Sequence, residues 1–368
     1  MKYKTKAKGI VMLADGTVFH GMSAGILGTA IGEICFNTSM SGYQETYTDL
    51  AYTGQILVNT TAHIGGYGVN ENENESDKVG ISALICKNFS DNFSRKNAST
   101  SLQNYFESNN IVVITDVDSR ALVRHIRDKG AMNAVVSSIE FDFDKLKEKL
   151  EMYPLLENLE LASKVSTKKA YILGDEKSNL KVALIDYGVK MSLIQAFVER
   201  GAKVKVFPMQ TEVNDILAWK PKGIVLSNGP GNPLLMKESI QKVKDLTHGN
   251  IPILGISLGH QLLALAAGAE TEKMAIGHRG SNHPVHNLLT GKSEVTAQNH
   301  GFVVTKSSVE KNDTLEITHI HLNDNTIAGL RYKNKFIFSV QFLPEASPGP
   351  HDSKYLFDNF IETLNTAK

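Results

Sequence analysis

Apolar and polar positions follow two different rhythms along this 368-residue chain. The first ~150 residues are mixed. Gly9 to Leu13 and Thr17 to His20 flank Ala14-Asp15-Gly16, which marks a β-hairpin. Ile111 to Thr115 is β-branched and apolar and predicts a strand, as does Ala134 to Ser137. Leu122, Val123 and Ile126 give Ser119 to Arg127 helical spacing, and Phe143 to Met152 reads as an amphipathic helix. Residues 153–180 sustain no period and are expected to form an irregular connection. The acidic stretch Asn70 to Asp77 is expected as a solvated loop.

From Lys181 strands and helices alternate. Strands are predicted at Val182 to Ile185, Val204 to Phe207, Gly223 to Leu226 and Ile251 to Ile256. Helices are predicted at Lys190 to Arg200, Val213 to Trp219 and Met236 to Leu246. Near-continuous apolar strands between amphipathic helices indicate parallel strands covered on both faces. After residue ~270 the chain becomes β-rich, and it closes with a helix from Ser353 to Leu364. The expected architecture is α/β: a mixed N-terminal domain over residues 1–152, a linker over 153–180, and a doubly wound, mostly parallel domain over 181–368. Ligands of such sheets bind beyond the strand C-termini. Two turns fall at that edge, Ser227 to Pro233 and Gly255-Ile256-Ser257-Leu258-Gly259.

Composition narrows the function classes. Lys plus Arg (39) equal Asp plus Glu (39), so no field of one sign invites nucleic acid or an anionic membrane. No apolar run approaches the ~20 residues of a membrane span. Met1 to Lys6 is basic, but no apolar signal core follows. Cys35 and Cys86 are the only cysteines, which makes no disulfide framework and points to a reducing cytoplasm.

The chemistry concentrates at Ser257. An apolar strand passes through Gly-x-Ser-x-Gly directly into Leu262-Leu263-Ala264-Leu265, the pattern of a nucleophile elbow. Such a turn presents its central side chain over the backbone N–H groups of a helix N-terminus. Asn228-Gly229-Pro230-Gly231 is a second glycine turn at the same edge; alone it would read as a tight turn needing positive φ. Thr296 to Phe302 lies between strands, and Asn299 with the Gly301 backbone could hold a small polar substrate; His300 alone reads as a loop histidine. Phe338 to Glu345 is a strand ending in one carboxylate, whose bland reading is a surface acid. Gly291-Lys292-Ser293 lacks the leading glycine of a phosphate loop, since His286 stands there, and no acidic metal cluster accompanies it. The chain is therefore not expected to handle ATP itself, and no metal site is picked out.

These residues resemble the triad glutamine amidotransferases. The resemblance extends to the first domain, through Phe36 to Glu45, His63-Ile64-Gly65 and Asp116 to Arg120, and through Gly277 to Pro284 and Ala346 to Asp352 in the second. The whole chain is similar to small subunits of carbamoyl-phosphate synthetase. That family hydrolyses glutamine through a cysteine thioester and passes ammonia to a separate large subunit. The large subunit makes carbamoyl phosphate for arginine or pyrimidine biosynthesis, and the ATP and divalent metal are expected there, with no cofactor in this chain. The resemblance implies that Gly229 and Gly231 help bind glutamine and form the oxyanion site. Leu258 would add its backbone N–H, and Gln261, Asn299, Gly301 and Phe302 would hold the substrate.

Three positions depart from the family pattern. Ser257 stands at the nucleophilic cysteine, Leu343 at the catalytic histidine, and Ala51 at a glutamine-contacting serine of some members. Glu345 alone keeps its triad identity. A serine hydroxyl is a poor nucleophile without an adjacent base, and leucine can neither accept nor donate a proton. The expectation is a pocket that still holds glutamine and barely hydrolyses it. Two rival readings are a non-catalytic scaffold or glutamine-sensing subunit, and a serine hydrolase in which Ser257 recruits His260, His300 or His351, or the pair Glu316 and His319.

Overall fold

The hairpin predicted at the start of the chain is the first corner of a closed barrel. The computed structural model describes residues 6–366, so of the basic Met1 to Lys6 start only Lys6 lies within the described residues. The chain divides into two units between Leu159 and Glu160.

In the first unit, β1 (Lys8–Leu13) turns into β2 (Val18–Gly25), with Leu13 N–H donating to Thr17 O at 2.9 Å. β3 (Thr29–Asn37), β4 (Gln55–Asn59), β5 (His63–Ile64), β6 (Ala83–Ile85), β7 (Asn88–Phe89), β8 (Val112–Thr115) and β9 (Asn133–Ser137) follow. The barrel runs β1-β2-β8-β6-β4-β3-β9, and β9 closes it against β1, while β5 and β7 pair separately. β4 and β6 are buried at every position. They therefore lack the period-two pattern by which a half-buried strand is read. The helices Ser119–Lys129 and Phe143–Met152 are capped by Asp118 and Asp142, whose carboxylates accept first-turn N–H groups that have no helical partner. Cys35 and Cys86 are buried in this unit, and burial pushes the Cys86 thiol up to about 12.

The second unit is one ten-stranded sheet. Its strands are β10 (Tyr171–Leu173), β11 (Lys181–Asp186), β12 (Lys203–Pro208), β13 (Gly223–Leu226), β14 (Ile253–Ile256), β15 (Thr271–Asn287), β16 (Lys292–Val304), β17 (Leu315–His321), β18 (Ile327–Tyr332) and β19 (Ile337–Val340). The order is β10-β12-β11-β13-β14-β19-β18-β17-β15-β16. The run from β12 to β19 is parallel; β18, β17, β15 and β16 extend it as an antiparallel half. Residues 153–180 are less irregular than their pattern indicates, because they contain the short helix Ala162–Val165 and the antiparallel edge strand β10.

Apolar side chains cover both faces of the parallel half. One face buries Leu246, Leu262 and Leu263 from the helices Lys237–His248 and Leu258–Ala266. The other buries Leu193 and Phe197 from Met191–Val198 and Phe357 and Phe360 from Tyr355–Thr366. Phe197 meets Phe357 and Phe360 edge-on at 5.2 and 6.0 Å. Each such side chain contributes roughly 1.5–3 kcal/mol by leaving water. Among the described residues, no helix is long and apolar enough to cross a membrane.

Candidate active site

The C-terminal ends of β11, β13, β14 and β19 lie side by side, and each runs into a turn that carries a polar or glycine residue. The sharpest is at Ser257. Its backbone sits at φ 52°, ψ −103°, where an L-residue is strained, and its side chain is 2% exposed. Ser257 N–H donates to Val340 O of β19 at 2.9 Å and Gln261 N–H to Ser257 O at 3.2 Å, which fixes the turn between β14 and the helix Leu258–Ala266. The flanking glycines are required by packing. A Cβ on Gly255 would lie 2.6 Å from Leu263 Cδ1, and one on Gly259 would lie 2.2 Å from Leu226 O. The Gly-x-Ser-x-Gly pattern thus records how closely helix and strands approach. Leu258 heads the helix, so its N–H points to the N-terminal edge.

β13 delivers the second glycine turn beside the first. A Cβ on Gly229 would stand 2.1 Å from Tyr187 O, and Gly231 has φ 95°. Asn228 Nδ2 donates to Gly188 O at 3.1 Å, and Ser227 Oγ accepts from Tyr187 N–H at 2.9 Å. Asp186, at the end of β11, accepts the N–H groups of Gly188 and Val189, both at 2.8 Å, and burial raises its carboxyl above the usual range.

β19 ends in Gln341-Phe342-Leu343-Pro344-Glu345. Leu343 is 5% exposed, belongs to the apolar cluster with Ile256, Ala297 and Phe342, and donates its N–H to Ala297 O at 2.9 Å. A hydrocarbon suits that position well. Glu345 is not a surface acid: it is 4% exposed, and its Oε1 accepts from Lys190 Nζ at 3.1 Å. Lys190 Nζ also donates to Ser347 O at 2.6 Å. Lys190 was missed as a site residue because a lysine opening a helix reads as a solvated charge; only its position after the buried Asp186-Tyr187-Gly188-Val189 turn hinted otherwise.

Gln261 clasps two elements, its Nε2 donating to Phe302 O at 2.8 Å and to Gln341 Oε1 at 3.0 Å. Asn299, Gly301 and Phe302 lie on β16, and the Phe302 carbonyl also contacts His300 Nδ1 at 2.9 Å. Ala51 lies in the first unit, on a 3-10 turn where its N–H donates to Asp49 Oδ1 at 2.9 Å; all the other candidates lie in the second unit.

Among the described residues, none of the histidines proposed as bases is hydrogen-bonded to Ser257. His260 Nδ1 faces Ser339 Oγ at 2.9 Å, and His300 Nε2 faces Gln298 Oε1 at 2.8 Å. His319 Nδ1 faces Thr318 Oγ1, while Glu316 is bound by Arg331 at 2.8 Å, so these two do not form a dyad. His351 is exposed. Burial lowers His260 to about 3 and His319 to about 4. Unfolded chains take up these protons near pH 6.5 while the native state resists them, so stability is full above that pH and is lost as pH falls toward 4. At pH 5 each of the two is expected to remove ~2 kcal/mol. Urea titrations at pH 7.5 and pH 5 check this, and an unchanged midpoint would refute it.

Relatives match the sequence over both units. The family model described as "Carbamoyl-phosphate synthase small chain, CPSase domain" matches residues 11–136, and "Glutamine amidotransferase class-I" matches residues 183–363. A carbamoyl phosphate synthase small chain of Synechococcus sp. is 42% identical over 99% of this chain and 95% of its own length. Its namesake in Chlorobaculum tepidum is 43% identical over 98% of both chains. That of Thermotoga maritima is 41% identical over 98% of this chain and 99% of its own. Similar in both domains and along nearly its full length, the chain belongs to the carbamoyl-phosphate synthase small chain family.

Proposed function

We propose that this chain is the amidotransferase-type subunit of a glutamine-dependent carbamoyl-phosphate synthase in which the glutaminase step has been lost or nearly lost. The carrying observation is the composition of the edge itself. The strained elbow presents a hydroxyl, the neighbouring strand end presents Leu343, and the carboxylate two residues on is tied to Lys190. Among the described residues, no histidine is hydrogen-bonded to Ser257 to supply the missing base. A neutral hydroxyl beside a hydrocarbon neither attacks an amide nor protonates departing ammonia. The glycine turns, Leu258 N–H and the β16 strand, gathered at one sheet edge, support a reading of that edge as the place for an amide substrate. In this reading the chain docks on a large synthetase subunit, which uses free ammonia.

The test is ammonia release from glutamine by the purified chain together with its large subunit, alongside ammonia-supported carbamoyl phosphate synthesis with and without the chain. The expected result is glutamine turnover at the level of a no-enzyme control and ammonia-dependent synthesis that rises when the chain is added. Glutamine turnover at an ordinary enzymatic rate of ~10 s⁻¹ would sink the proposal. Labelling of Ser257 by a fluorophosphonate would instead make the chain a serine hydrolase.

A further inference from the structure

The β15 and β17 strands assemble a histidine group that plays no part in the chemistry above. His278 and His283 come from β15, His321 ends β17, and Asp324 follows in the turn to β18. Asp324 grips two of the rings, its Oδ2 accepting from His278 Nε2 at 2.8 Å and its Oδ1 lying 3.2 Å from His321 Nδ1. The Oδ2 contact places a proton on His278 Nε2, whereas His321 Nδ1 also accepts the Asn323 N–H at 3.2 Å. That leaves the lone pair of the His278 ring on Nδ1. His321 Nε2 lies 3.1 Å from His283 Nδ1, so a single proton is shared between them. His278 Nδ1 and His283 Nε2 are buried without a hydrogen-bond partner among the described residues. Buried nitrogens of that kind are costly to leave unsatisfied.

We propose that His278, His283 and His321 form a binding site for a zinc-class divalent transition ion, with Asp324 as the carboxylate behind two of its ligands. One nitrogen from each ring already lies within 4.8 Å of the others. At metal–nitrogen distances of 2.0–2.1 Å, tetrahedral ligands stand about 3.4 Å apart. The His283–His321 pair is close to that separation, with the ion taking the place of the shared proton. The third ring needs to close up by about 1.4 Å at most, within reach of a χ adjustment. Imidazole donors select zinc, copper or nickel over magnesium and calcium. A carboxylate bonded to the far side of a ligating histidine fixes its tautomer and raises its basicity. Three ligands leave a fourth position for water.

The ion would pin the long β15 strand to the β17–β18 turn. It also lies behind the strand that carries the substrate-facing residues, since His300 meets the His278 ring edge-on at 5.0 Å. The site is independent of the glutaminase reading, because none of its four residues belongs to the elbow or to the glycine turns.

The test uses the full chain without an affinity tag, loaded with excess zinc sulfate, desalted, and measured for metal content and by competition with a chromophoric chelator. One equivalent of zinc is expected to stay bound. H321N and H283N should each reduce binding at least ~100-fold, and D324N ~10–100-fold, while H20N on β2 leaves it unchanged. Cobalt substitution of the unaltered chain should give the d–d spectrum of a four-coordinate site without thiolate bands, a readout that does not depend on any variant folding. Failure of the unaltered chain to retain zinc and cobalt would overturn the proposal, as would undiminished retention by the H283N/H321N double variant.

Discussion

Replacing Ser257 by cysteine and Leu343 by histidine together is expected to raise ammonia release from glutamine by at least ~10³-fold, with either change alone giving little. The elbow already imposes the required backbone, at φ 52° and ψ −103°, and places its side chain at the head of a helix, where a thiolate is stabilised. β14 and β19 are hydrogen-bonded neighbours, with Ile256 opposite Val340, so positions 257 and 343 sit beyond adjacent strand ends. Nucleophile and base act as a unit, and in a serine protease losing either costs about 10⁶ in rate. Restoring one member therefore leaves most of that factor missing. The measurement is glutamine turnover by the four proteins (unaltered, two single variants and the double variant) with the large subunit present. A silent double variant would show that the pocket, and not only the catalytic pair, has been lost.

Replacing Lys190 by methionine is expected to destabilise the second unit by ~3–5 kcal/mol, about as much as the pair's burial demands. Lys190 and Glu345 have side chains only 2% and 1% exposed, and the pair joins the turn after β11 to the loop after β19. Removing the ammonium leaves a buried carboxylate without that cation, and desolvation then acts in full. A Lys190→Met/Glu345→Met double variant should recover most of the loss, since a well-packed apolar pair of similar volume is often neutral or stabilising. Urea unfolding of the single and double variants checks this. Equal destabilisation of both would mean that the lysine acts mainly through its 2.6 Å bond to Ser347 O.

What could be read from the sequence was what is encoded locally. The Leu13–Thr17 hairpin, the helices with 3.6-residue spacing and the parallel strands from β11 to β14 all announce themselves within a dozen residues. So does the elbow, because strand, turn and helix are contiguous and its glycines are demanded by contacts with near neighbours. Barrel closure was not legible, since it depends on pairings such as Met22 with Thr115, and because β4 and β6 are buried on both faces. The Lys190–Glu345 pair spans 155 positions. Its two members look like ordinary surface charges until the fold buries them together. The histidine group escaped for the same reason, its members being scattered over two strands of an antiparallel half whose register no local pattern specifies.

The fate of the two native cysteines gives the protein a chemical handle. Cys86 is held protonated by its surroundings at any pH near neutrality, and Cys35 is enclosed with it in the barrel unit. An alkylating or disulfide-exchanging reagent attacks thiolates that it can reach, so the folded chain is a nearly blank background for sulfur chemistry. A thiol introduced by Ser257→Cys would then be labelled alone. Its rate of modification, with and without glutamine, would report how open the pocket is, without the reaction having to be restored.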